Sequence, residues 1–537
     1  MLRERRLDPV MIAWWILLAL AIGAVVFIRI RLLAIPLERD EGEYAYAGQL
    51  MLQGIPPYKL AYNMKFPGIY AAYALITALL GQTPVGIHMG LLLINLATIS
   101  LIFAIALRVT NIVGAIAAAA TYSIASLSPS LVGLATHTEH FVLLPALGAI
   151  LLLLDHRPVV RTSRIFAGGV LFGIAVLMKQ PGIFFLVFGG SYLLYRDIRA
   201  RINWPSAIGR AAIFVCSAAG PLALTFFGLW IAGVFPKAWF WTINYARAYG
   251  TIVPFGEGIL IAAHTTRNVL GPLWPFCGLS LLGVAGFVWN EQARKQAVFI
   301  VLFLLGSGAA LCSGLYFREH YYVFILPILS LFLGITVVTS LEAFKRWRQT
   351  TQTVLIIAVA AALAYPVLNR SRLFFVLSSE EACTEIYRGN LFREAPRIGA
   401  YIREHTEHND TIAVIGSEPE IYFYSRLHSA TGYIYTYALM EEHDYVRMMQ
   451  EEMEHEIEQA RPKFLIYVPL QTSWFVASWS DLSIFHWFDD YSSRSYRKVG
   501  FVKVLPDGST DYCLPCNRAI ESGPYSAIIF ERIRSEP

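Results

Sequence analysis

Carboxylates and a lysine lie close together near the start of the chain, directly after a long apolar segment. Asp40, Glu41 and Glu43 follow that segment, and Lys65 comes soon after them. A carboxylate can accept the proton of a hydroxyl group, and an ammonium can stabilise an anionic group as it departs. The pattern therefore predicts proton transfer beside an anionic leaving group. The simpler alternative is a solvated, negatively charged loop.

The composition is that of a polytopic α-helical membrane protein. Mean hydropathy is +0.52, only 15% of the 537 residues are charged, and apolar runs recur from Met11 to Val367. Ionisable groups at a bilayer boundary persist mainly where they line a wet cavity, pair with each other or bind something charged. The net charge of +5 and the lack of a basic groove interleaved with aromatic residues give no reason to expect a nucleic-acid partner.

Apolar segments of bilayer length predict a bundle of about 11 to 13 membrane-spanning helices. The piece Pro67–Leu80 is too short to cross comfortably, so we expect it to be re-entrant or to lie against the bundle. The first run has no small-residue cleavage site after it and is interpreted as an uncleaved span. The predicted spans cover residues 10–28, 85–107, 111–130, 138–154, 165–178, 180–195, 208–234, 268–289, 297–314, 320–340 and 351–369.

Basic loops set the predicted orientation, because short loops rich in arginine and lysine stay in the cytoplasm. Arg29 and Arg31 oppose this scheme locally and are outnumbered by the other clusters. The basic clusters are Arg3, Arg5 and Arg6; Arg157, Arg161 and Arg164; Arg196, Arg199, Arg201 and Arg210; Arg294 and Lys295; and Lys345, Arg346 and Arg348.

The same scheme collects a set of ionisable residues on the non-cytoplasmic side. Lys179 stands at the tip of a helical hairpin before Pro181, and Arg318 opens the span that carries Pro327. Each alone could be a snorkelling or interfacial anchor, but their collection on one side favours a functional cavity. The set comprises Asp40, Glu41, Lys65, His137, Glu139, His140, Lys179, Arg247, Arg318, Glu319 and His320.

The chain becomes polar after Asn369, and residues 373–537 read as a separate α/β domain. The strand-like runs are 411–415, 464–468, 498–504 and 526–530, with helical stretches at 395–404 and 441–460. Because the predicted spans are odd in number and the N-terminus is predicted to be cytoplasmic, we expect this domain outside the cytoplasm. Residues 416–420 follow a strand as a turn and a helix start, since they lack the pattern of a phosphate-binding glycine loop.

Six cysteines divide equally between the two parts of the chain. Those in spans are interpreted as inert packing residues. Cys513 and Cys516 have the spacing of a metal knuckle but no second pair to complete four zinc ligands. In an oxidising compartment we expect a disulfide between two of Cys383, Cys513 and Cys516.

The first external loop resembles that of the C-type glycosyltransferase (GT-C) superfamily. The particular likeness is to the branch that contains protein O-mannosyltransferases and lipid A aminoarabinose transferases. It rests on Asp40-Glu41 followed by Tyr44, a Gly-x-x-Pro-Tyr turn at 54–58, and Lys65 in a Lys-x-Pro-Gly pattern. Weaker likenesses occur at residues 179–182, 320–322 and 326–327, and the resemblance covers about residues 10–340.

The resemblance implies a GT-C-like transmembrane glycosyltransferase domain over residues 1–372, with a first external loop at 29–66. The remaining residues, 373–537, would form the extracytoplasmic α/β domain. It also implies that Asp40 is the catalytic base and that Glu41 is its neighbouring acid. One departure is Met64, which stands where the aminoarabinose transferases have an acidic residue implicated in metal binding. A divalent metal is therefore compatible with the sequence but not required by it.

Further site residues follow from the resemblance and from the predicted topology, since arginine and lysine hold phosphate oxygens as charge develops. The residues expected to bind the donor phosphate are Lys65, Lys179, Arg318, His320 and Tyr321. Those expected to line the acceptor site or cavity are Glu43, Tyr44, Tyr58, His137, Glu139 and Arg247.

These features together predict an enzyme of the inner (plasma) membrane. It would move a monosaccharide from a polyprenyl-phosphate donor to a hydroxyl of a glycan, lipid or protein acceptor on the non-cytoplasmic side, by inverting displacement. The sequence has no dinucleotide-binding glycine fingerprint after a strand and no Asp-x-Asp triplet on a predicted cytoplasmic loop. Either motif would have favoured a nucleotide donor. The alternatives are a transporter or flippase of a lipid-linked or anionic substrate, which should show paired internal repeats, and a receptor-like scaffold, which would need no carboxylate and lysine constellation.

Overall fold

The computed structural model describes residues 9–155, 157–286, 291–521 and 523–533, so the N-terminal cluster Arg3, Arg5 and Arg6 lies outside the described residues. Its chain divides into two compact units, each assembled from separate segments. Unit 1 comprises Met1–Leu32, His88–Phe226 and Val253–Val376. Unit 2 comprises Leu33–Ile87, Phe227–Ile252 and Leu377–Pro537.

The described α-helices are numbered here in chain order. Several are joined by 3-10 or π-helical turns, for example the π-helical turn Phe240–Tyr245 and the 3-10 helix Glu319–Ile325. The α-helices are α1 Pro9–Arg31, α2 Arg39–Leu52, α3 Gly68–Leu80, α4 Pro84–Val109, α5 Ile112–Ala125, α6 Thr138–Leu153, α7 Thr162–Met178, α8 Gly182–Arg199, α9 Trp204–Ile231, α10 Phe235–Trp239, α11 Ala246–Tyr249, α12 Phe255–Leu270, α13 Trp274–Leu282, α14 Glu291–Lys295, α15 Ala297–Leu311, α16 Leu326–Ala343, α17 Arg348–Asn369, α18 Ser379–Ile386, α19 Ala395–Glu404, α20 Glu420–Ser425, α21 Val446–Ala460, α22 Gln471–Trp474 and α23 Ser483–Ser495.

Among the described residues, five helices are long and apolar enough to cross a membrane. They confirm a multi-pass membrane protein and coincide with the spans predicted near residues 10–28, 85–107, 208–234, 320–340 and 351–369. Shorter apolar helices occupy Gly68–Leu80, Ile112–Ala125, Thr138–Leu153, Thr162–Met178 and Ala297–Leu311. The five long helices are Pro9–Arg31, Pro84–Val109, Trp204–Ile231, Glu319–Ala343 and Lys345–Asn369.

The span predicted over residues 268–289 is an interrupted helix in the structure. Its first residues end α12, the 3-10 turn Gly271–Leu273 follows, and α13 then covers Trp274–Leu282. Pro272 and Pro275 each lack the backbone N–H that a continuous helix needs, which accounts for the interruption. Residues 287–289 of that predicted span lie outside the described residues.

Unit 1 is held together by close helix contacts at small residues. On α5 and α16, Gly114 and Gly334 approach so closely that a Cβ added to Gly334 would lie 2.5 Å from the Gly114 carbonyl oxygen. Small residues permit such contacts between membrane helices. Arg29, 4% exposed, donates to the carbonyls of Ser126 and Gly133 at 3.1 and 3.0 Å. A structural role for Arg29 explains why a basic residue interrupts the predicted charge pattern.

Unit 2 contains a mixed sheet of six strands in the order β2-β1-β3-β6-β4-β5. β1 runs parallel to β2 and β3, with Ile412 opposite Phe464, and the remaining neighbours are antiparallel. All four strand-like runs predicted from the sequence lie in this sheet, and the α/β fold is confirmed. The strands are β1 Thr411–Ile415, β2 His428–Ser429, β3 Phe464–Tyr467, β4 Tyr496–Val504, β5 Thr510–Cys513 and β6 Ala527–Arg532.

Two local predictions in the polar part of the chain are confirmed. Cys513 and Cys516 form a disulfide, while Cys383 is a buried free thiol. The segment after β1 is a turn that leads into α20 at Glu420, without a glycine-rich phosphate loop.

Unit 2 joins the polar part of the chain to segments that come much earlier in sequence. Its members α2 and α20 meet at Gly42, where an added Cβ would lie 2.5 Å from the backbone nitrogen of Glu420. Such a contact leaves no space for a side chain at residue 42. The functional boundary predicted between residues 372 and 373 remains a prediction.

Candidate active site

Helix α2 carries the acidic residues of the first loop, and its start is fixed by a capping box. The Glu38 side chain accepts from the Glu41 backbone N–H at 2.9 Å, and the Glu41 carboxylate accepts from the Glu38 N–H at 3.3 Å. A capping box satisfies two backbone donors that a helix start leaves without partners. Glu41 is 1% exposed, so its carboxylate orients the helix turn that presents Asp40.

Lys65 bridges two carboxylates of α2. Its Nζ donates to Asp40 Oδ1 at 3.1 Å and to Glu43 Oε2 at 2.9 Å. Residues three apart on a helix share a face, which is why one ammonium can reach both. The Asp40 side chain is 14% exposed and that of Glu43 only 1%. The sequence prediction that these residues form a constellation is thus matched by direct contact.

Glu43 is held on every side by donors. Besides Lys65, it accepts from Asn63 Nδ2 at 2.8 Å and from the Tyr70 hydroxyl at 2.7 Å. Burial raises the pKa of Glu43, and the neighbouring Lys65 ammonium only partly opposes this effect. Such a carboxylate is a positioning group for Lys65.

Aromatic residues enclose the Lys65 ammonium. Its Nζ lies 4.6 Å from the ring centre of Tyr44 and 5.7 Å from that of Tyr435, and the Tyr435 hydroxyl donates to Asp40 Oδ1 at 3.4 Å. Burial alone would lower the pKa of Lys65, but Asp40 and Glu43 outweigh it and the pKa lies above its ordinary value. Lys65 therefore remains charged. Asp40, Glu43, Tyr44, Lys65 and Tyr435 are called the Lys65 cluster below.

Tyr58 and Arg39 support this cluster from outside. The Tyr58 hydroxyl donates to the Lys65 carbonyl at 2.6 Å, and Tyr58 itself has a left-handed φ of 64°. Arg39 pairs with the buried Glu418 at 3.2 Å, and two aromatic rings flank its guanidinium. These contacts fix both the start of α2 and the backbone that carries Lys65.

A second group, called the Glu139 cluster, lies in unit 1 and comprises His137, Glu139, Lys179, His320 and Tyr321. Glu139 is fully buried and forms an ion pair with Lys179. His320 Nε2 lies 3.9 Å from Glu139 Oε1 and its ring stacks on that of His137 at 4.4 Å. The Lys179 ammonium lies 4.2 Å from the Tyr321 ring centre. All five had been predicted from sequence as site residues, and the structure brings them together.

Two further predicted site residues, Arg318 and Arg247, are not counted in either cluster. The Arg318 guanidinium lies 5.5 Å from the ring centre of Tyr316. Arg247 is an exposed residue of the short helix α11. The Tyr321 backbone N–H donates to the Arg318 carbonyl at 2.9 Å, so the main chain of Arg318 adjoins the Glu139 cluster.

Sequence reasoning missed three residues that contact Asp40 or Glu43, namely Asn63, Tyr70 and Tyr435. Asn63 belongs to the same short motif as Lys65, so its nearness was a signal that could have been used. Tyr70 was included in a segment interpreted only by its hydrophobicity. Tyr435 follows the lysine by hundreds of residues and lies in an irregular segment after β2, so no local pattern indicates it.

A lysine ammonium is the cation that lies between the two carboxylates of the Lys65 cluster. It brings positive charge to both of them. Met64, at the position of the family's acidic residue, offers only a thioether, which is a poor ligand for hard cations.

Comparison with known proteins gives one family and a set of folds. Residues 65–220 match the family of dolichyl-phosphate-mannose-protein mannosyltransferases. That segment contains Lys65, Glu139 and Lys179 but not Asp40 or His320. No curated protein matches the chain significantly.

Solved structures match nearly the whole chain at low sequence identity. ArnT from Cupriavidus metallidurans in the apo state has a TM-score of 0.57 and 13% identity, over 97% of this chain and 98% of that one. The same protein bound to undecaprenyl phosphate has a TM-score of 0.55 and 15% identity, over 85% of this chain and 93% of that one. The oligosaccharyltransferase AglB from Archaeoglobus fulgidus, in complex with an inhibitory peptide and a dolichol-phosphate, has a TM-score of 0.50 and 11% identity. The match covers 97% of this chain and 76% of that one.

Identities this low establish the fold and leave the residue roles to the site itself. The mostly helical architecture and the small C-terminal sheet agree with these structures. The resemblance found in the sequence is therefore confirmed: the chain has the fold of the C-type (GT-C) membrane glycosyltransferases.

Proposed function

We propose that this protein is an integral membrane glycosyltransferase that moves a monosaccharide from a polyprenyl-phosphate donor to an acceptor hydroxyl. Its fold and the family match at residues 65–220 support the general class. The observation that carries the specific proposal is the Lys65 cluster, in which a partly exposed aspartate is held by a buried lysine.

Asp40 is the proposed general base. It is the more exposed of the two carboxylates that Lys65 holds, so it can receive the proton of an acceptor hydroxyl. The Lys65 ammonium and the Tyr435 hydroxyl both donate to Asp40 Oδ1, which holds the carboxylate in one orientation. Glu41 keeps the helix start in place through its capping box, and Glu43 keeps Lys65 in place.

The chemistry is a single displacement at the anomeric carbon of the donor sugar. The acceptor oxygen forms a bond to that carbon, the bond from the carbon to the phosphate oxygen breaks, and the acceptor proton passes to Asp40. The polyprenyl phosphate leaves with the bonding electron pair. Attack opposite the departing phosphate inverts the anomeric configuration, as in inverting sugar hydrolysis.

Cations stabilise the departing phosphate in this scheme. Lys65 has three N–H donors, of which two are directed at Asp40 and Glu43 in this structure. Lys179, Arg318, His320 and Tyr321 stay proposed donor-phosphate residues. Tyr44, Tyr58, His137, Glu139 and Arg247 stay proposed residues of the acceptor site or cavity, whereas Glu43 is reassigned to positioning Lys65.

The predicted location of the site outside the cytoplasm supports a lipid-linked donor. Nucleotide sugars are made in the cytoplasm, whereas the charge pattern predicts that the Lys65 cluster lies on the non-cytoplasmic side of the membrane. The activated sugar must then arrive on a carrier that crosses the bilayer. Two of the matched structures contain such a lipid: the ArnT structure is bound to undecaprenyl phosphate, and the AglB structure is in complex with a dolichol-phosphate.

The test uses purified protein in vesicles together with acceptor-containing membranes from cells that lack it. Each radiolabelled lipid-linked sugar extracted from the host is offered as donor, and each corresponding nucleotide sugar is offered in parallel. We expect label to reach the acceptor fraction only from a polyprenyl-phosphate sugar, and not with Asp40→Asn protein. Efficient transfer from a nucleotide sugar without lipid carrier would refute the donor claim.

A further inference from the structure

Unit 2 contains a cavity away from the Lys65 cluster, at a boundary between polar and apolar chain segments. Its volume is about 630 Å³, within the range of pockets that hold small molecules. One wall is formed by Arg393, Arg397 and Tyr512, and another by Ala34, Val85 and their proline neighbours. No role in the proposed transfer uses these residues.

The two arginines are placed to bind an anion. The Arg397 guanidinium lies 3.9 Å from the Tyr512 ring centre, and stacking through its flat face leaves its edge N–H groups for a ligand. Arg393 donates to the Gly508 carbonyl at 3.0 Å. That bond holds one end of the guanidinium in place. Planar guanidinium groups match phosphate oxygens in pairs.

Other groups in the wall modulate this charge without cancelling it. Glu380 lies 3.8 Å from Arg393 and is mostly exposed, so one carboxylate faces two guanidinium groups. The Tyr424 hydroxyl accepts the Leu37 backbone N–H at 2.9 Å, and its own proton can therefore be donated to a ligand. The cavity thus combines a net positive charge with a hydroxyl donor.

The apolar wall indicates where the ligand comes from. Ala34 and Pro36 follow the end of the membrane-spanning helix α1, and Pro84 and Val85 begin the membrane-spanning helix α4. Val85 is 43% exposed. A free phosphate would gain nothing from such a wall, whereas a membrane lipid has both an anionic head and apolar chains.

We propose that this cavity binds the headgroup of an anionic membrane lipid. Arg393 and Arg397 hold the phosphate, Tyr424 donates to it, and the acyl chains leave past Ala34 and Val85. The site does not depend on the proposed transferase activity. It would couple unit 2 to the lipid composition of the membrane around it.

The test compares lipids by their effect on thermal stability in detergent. We expect short-chain phosphatidylglycerol to raise the unfolding temperature of the wild type far more than phosphatidylcholine does. Arg397→Gln should raise the half-saturating phosphatidylglycerol concentration roughly tenfold, the loss expected from removing charged hydrogen bonds. Arg397 is exposed and its guanidinium lies against the Tyr512 ring, so this variant should fold. Arg393→Gln should give a similar effect.

The matched control is Arg388→Gln, which removes the same charge from an exposed arginine of the same segment. An equal loss of lipid response in this control would overturn the proposal, because it would indicate general charge attraction. An equal response of the wild type to phosphatidylcholine would also overturn it. If inorganic phosphate or glycerol phosphate alone reproduced the full stabilisation, the cavity would be a soluble-anion site, and the lipid assignment would be wrong.

Discussion

At the scale of single residues, Lys65 divides two carboxylates into different roles. Glu43 is buried and accepts three hydrogen bonds, from Lys65, Asn63 and Tyr70. Asp40 remains partly exposed while bound to the same ammonium. A proton acceptor must be reached by its substrate, so in the proposed reaction the partly exposed Asp40 is the base and the buried Glu43 has a structural role.

Replacing Asp40 with asparagine should preserve the shape of the site and remove its capacity to accept a proton. We expect the transfer rate to fall by roughly two to four orders of magnitude, the usual contribution of a general base. Glu41→Gln should have a milder effect, because glutamine can also complete a capping box. The measurement is the transfer rate of purified variants at saturating donor. Near-normal turnover by Asp40→Asn would contradict the assignment.

The structural and chemical roles of Lys65 can be separated by a pair of variants. Lys65→Met alone should destabilise the protein by about 3–5 kcal/mol, since it leaves a buried carboxylate without its cation. Lys65→Met/Glu43→Gln removes both charges and should recover much of that loss in thermal unfolding. Donor use should stay impaired by about 2 kcal/mol or more in the double variant. Recovery of transfer together with stability would show that Lys65 has only a structural role.

At the scale of elements, α2 is placed by its two ends and one close contact. The capping box fixes its first turn, Arg39 ties that turn to Glu418, and Gly42 packs against the start of α20. Rigid placement of a helix that carries a base and its partner is what a displacement reaction requires, because small shifts of reacting groups cost much of the rate.

Gly42→Ala tests that placement. The new methyl group would lie within 2.7 Å of the backbone nitrogen, Cα and Cβ of Glu420, so α2 must move away from α20. We expect a loss of about 1–3 kcal/mol of stability and a lower transfer rate. Gly209→Ala on α9 is the control, since nothing lies within 4 Å of its added Cβ. Wild-type stability and activity in the Gly42 variant would mean that the α2 to α20 contact is not a constraint.

The same elements show how far a sequence can be interpreted. The contact of Lys65 with Asp40 and Glu43 was predictable, because helix periodicity and a short loop bring the three residues together locally. The long spans were predictable from hydropathy. The break at Gly271–Leu273 does not show in hydropathy, although Pro272 and Pro275 could have indicated it. Strand β2 has only two residues, His428 and Ser429, too few for a pattern. Tyr435 depends on the tertiary fold alone.

At the scale of the whole molecule, orientation and charge burial are the properties that remain to be measured. The bundle fixes which helices can cross, while the basic loops predict which face each end reaches. Unit 2 also buries more acidic groups than it pairs. Glu420 is fully buried, and its two carboxylate oxygens have no hydrogen-bond partner among the described residues.

Orientation can be tested by single cysteines. We keep the Cys513–Cys516 disulfide, replace the other four cysteines, and introduce one cysteine at Ser163 or at Ser493, both exposed. An impermeant thiol reagent added to intact cells stripped of any outer barrier should label Ser493→Cys directly. It should label Ser163→Cys only after the membrane is opened. The reverse pattern would invert the topology and move the proposed site to the cytoplasm.

The pH dependence of the protein's stability should reveal the raised pKa of the buried Glu420 carboxyl group. Burial, reinforced by the nearby Glu418 charge, raises the pKa of Glu420 well above its ordinary value, although Arg39 acts in the opposite direction. The unfolded chain then loses its proton near pH 4.3 while the folded chain retains it, so stability falls as pH rises from about 4.3 to the folded-state pKa. We expect Glu420→Gln to reduce the drop in unfolding temperature between pH 5 and pH 8. Exposed Glu442→Gln should leave that drop unchanged; equal drops in all three proteins would contradict the assignment.

The discontinuity of unit 2 has a consequence for how the protein is made. Residues 33–87 emerge from the ribosome early, but Glu418 and Tyr435, which contact Arg39 and Asp40, are synthesised near the end. Until then the first loop lacks the partners that fix its helix. A nascent chain whose synthesis stops before residue 435 therefore cannot assemble this site, and competence arises only when translation is nearly finished.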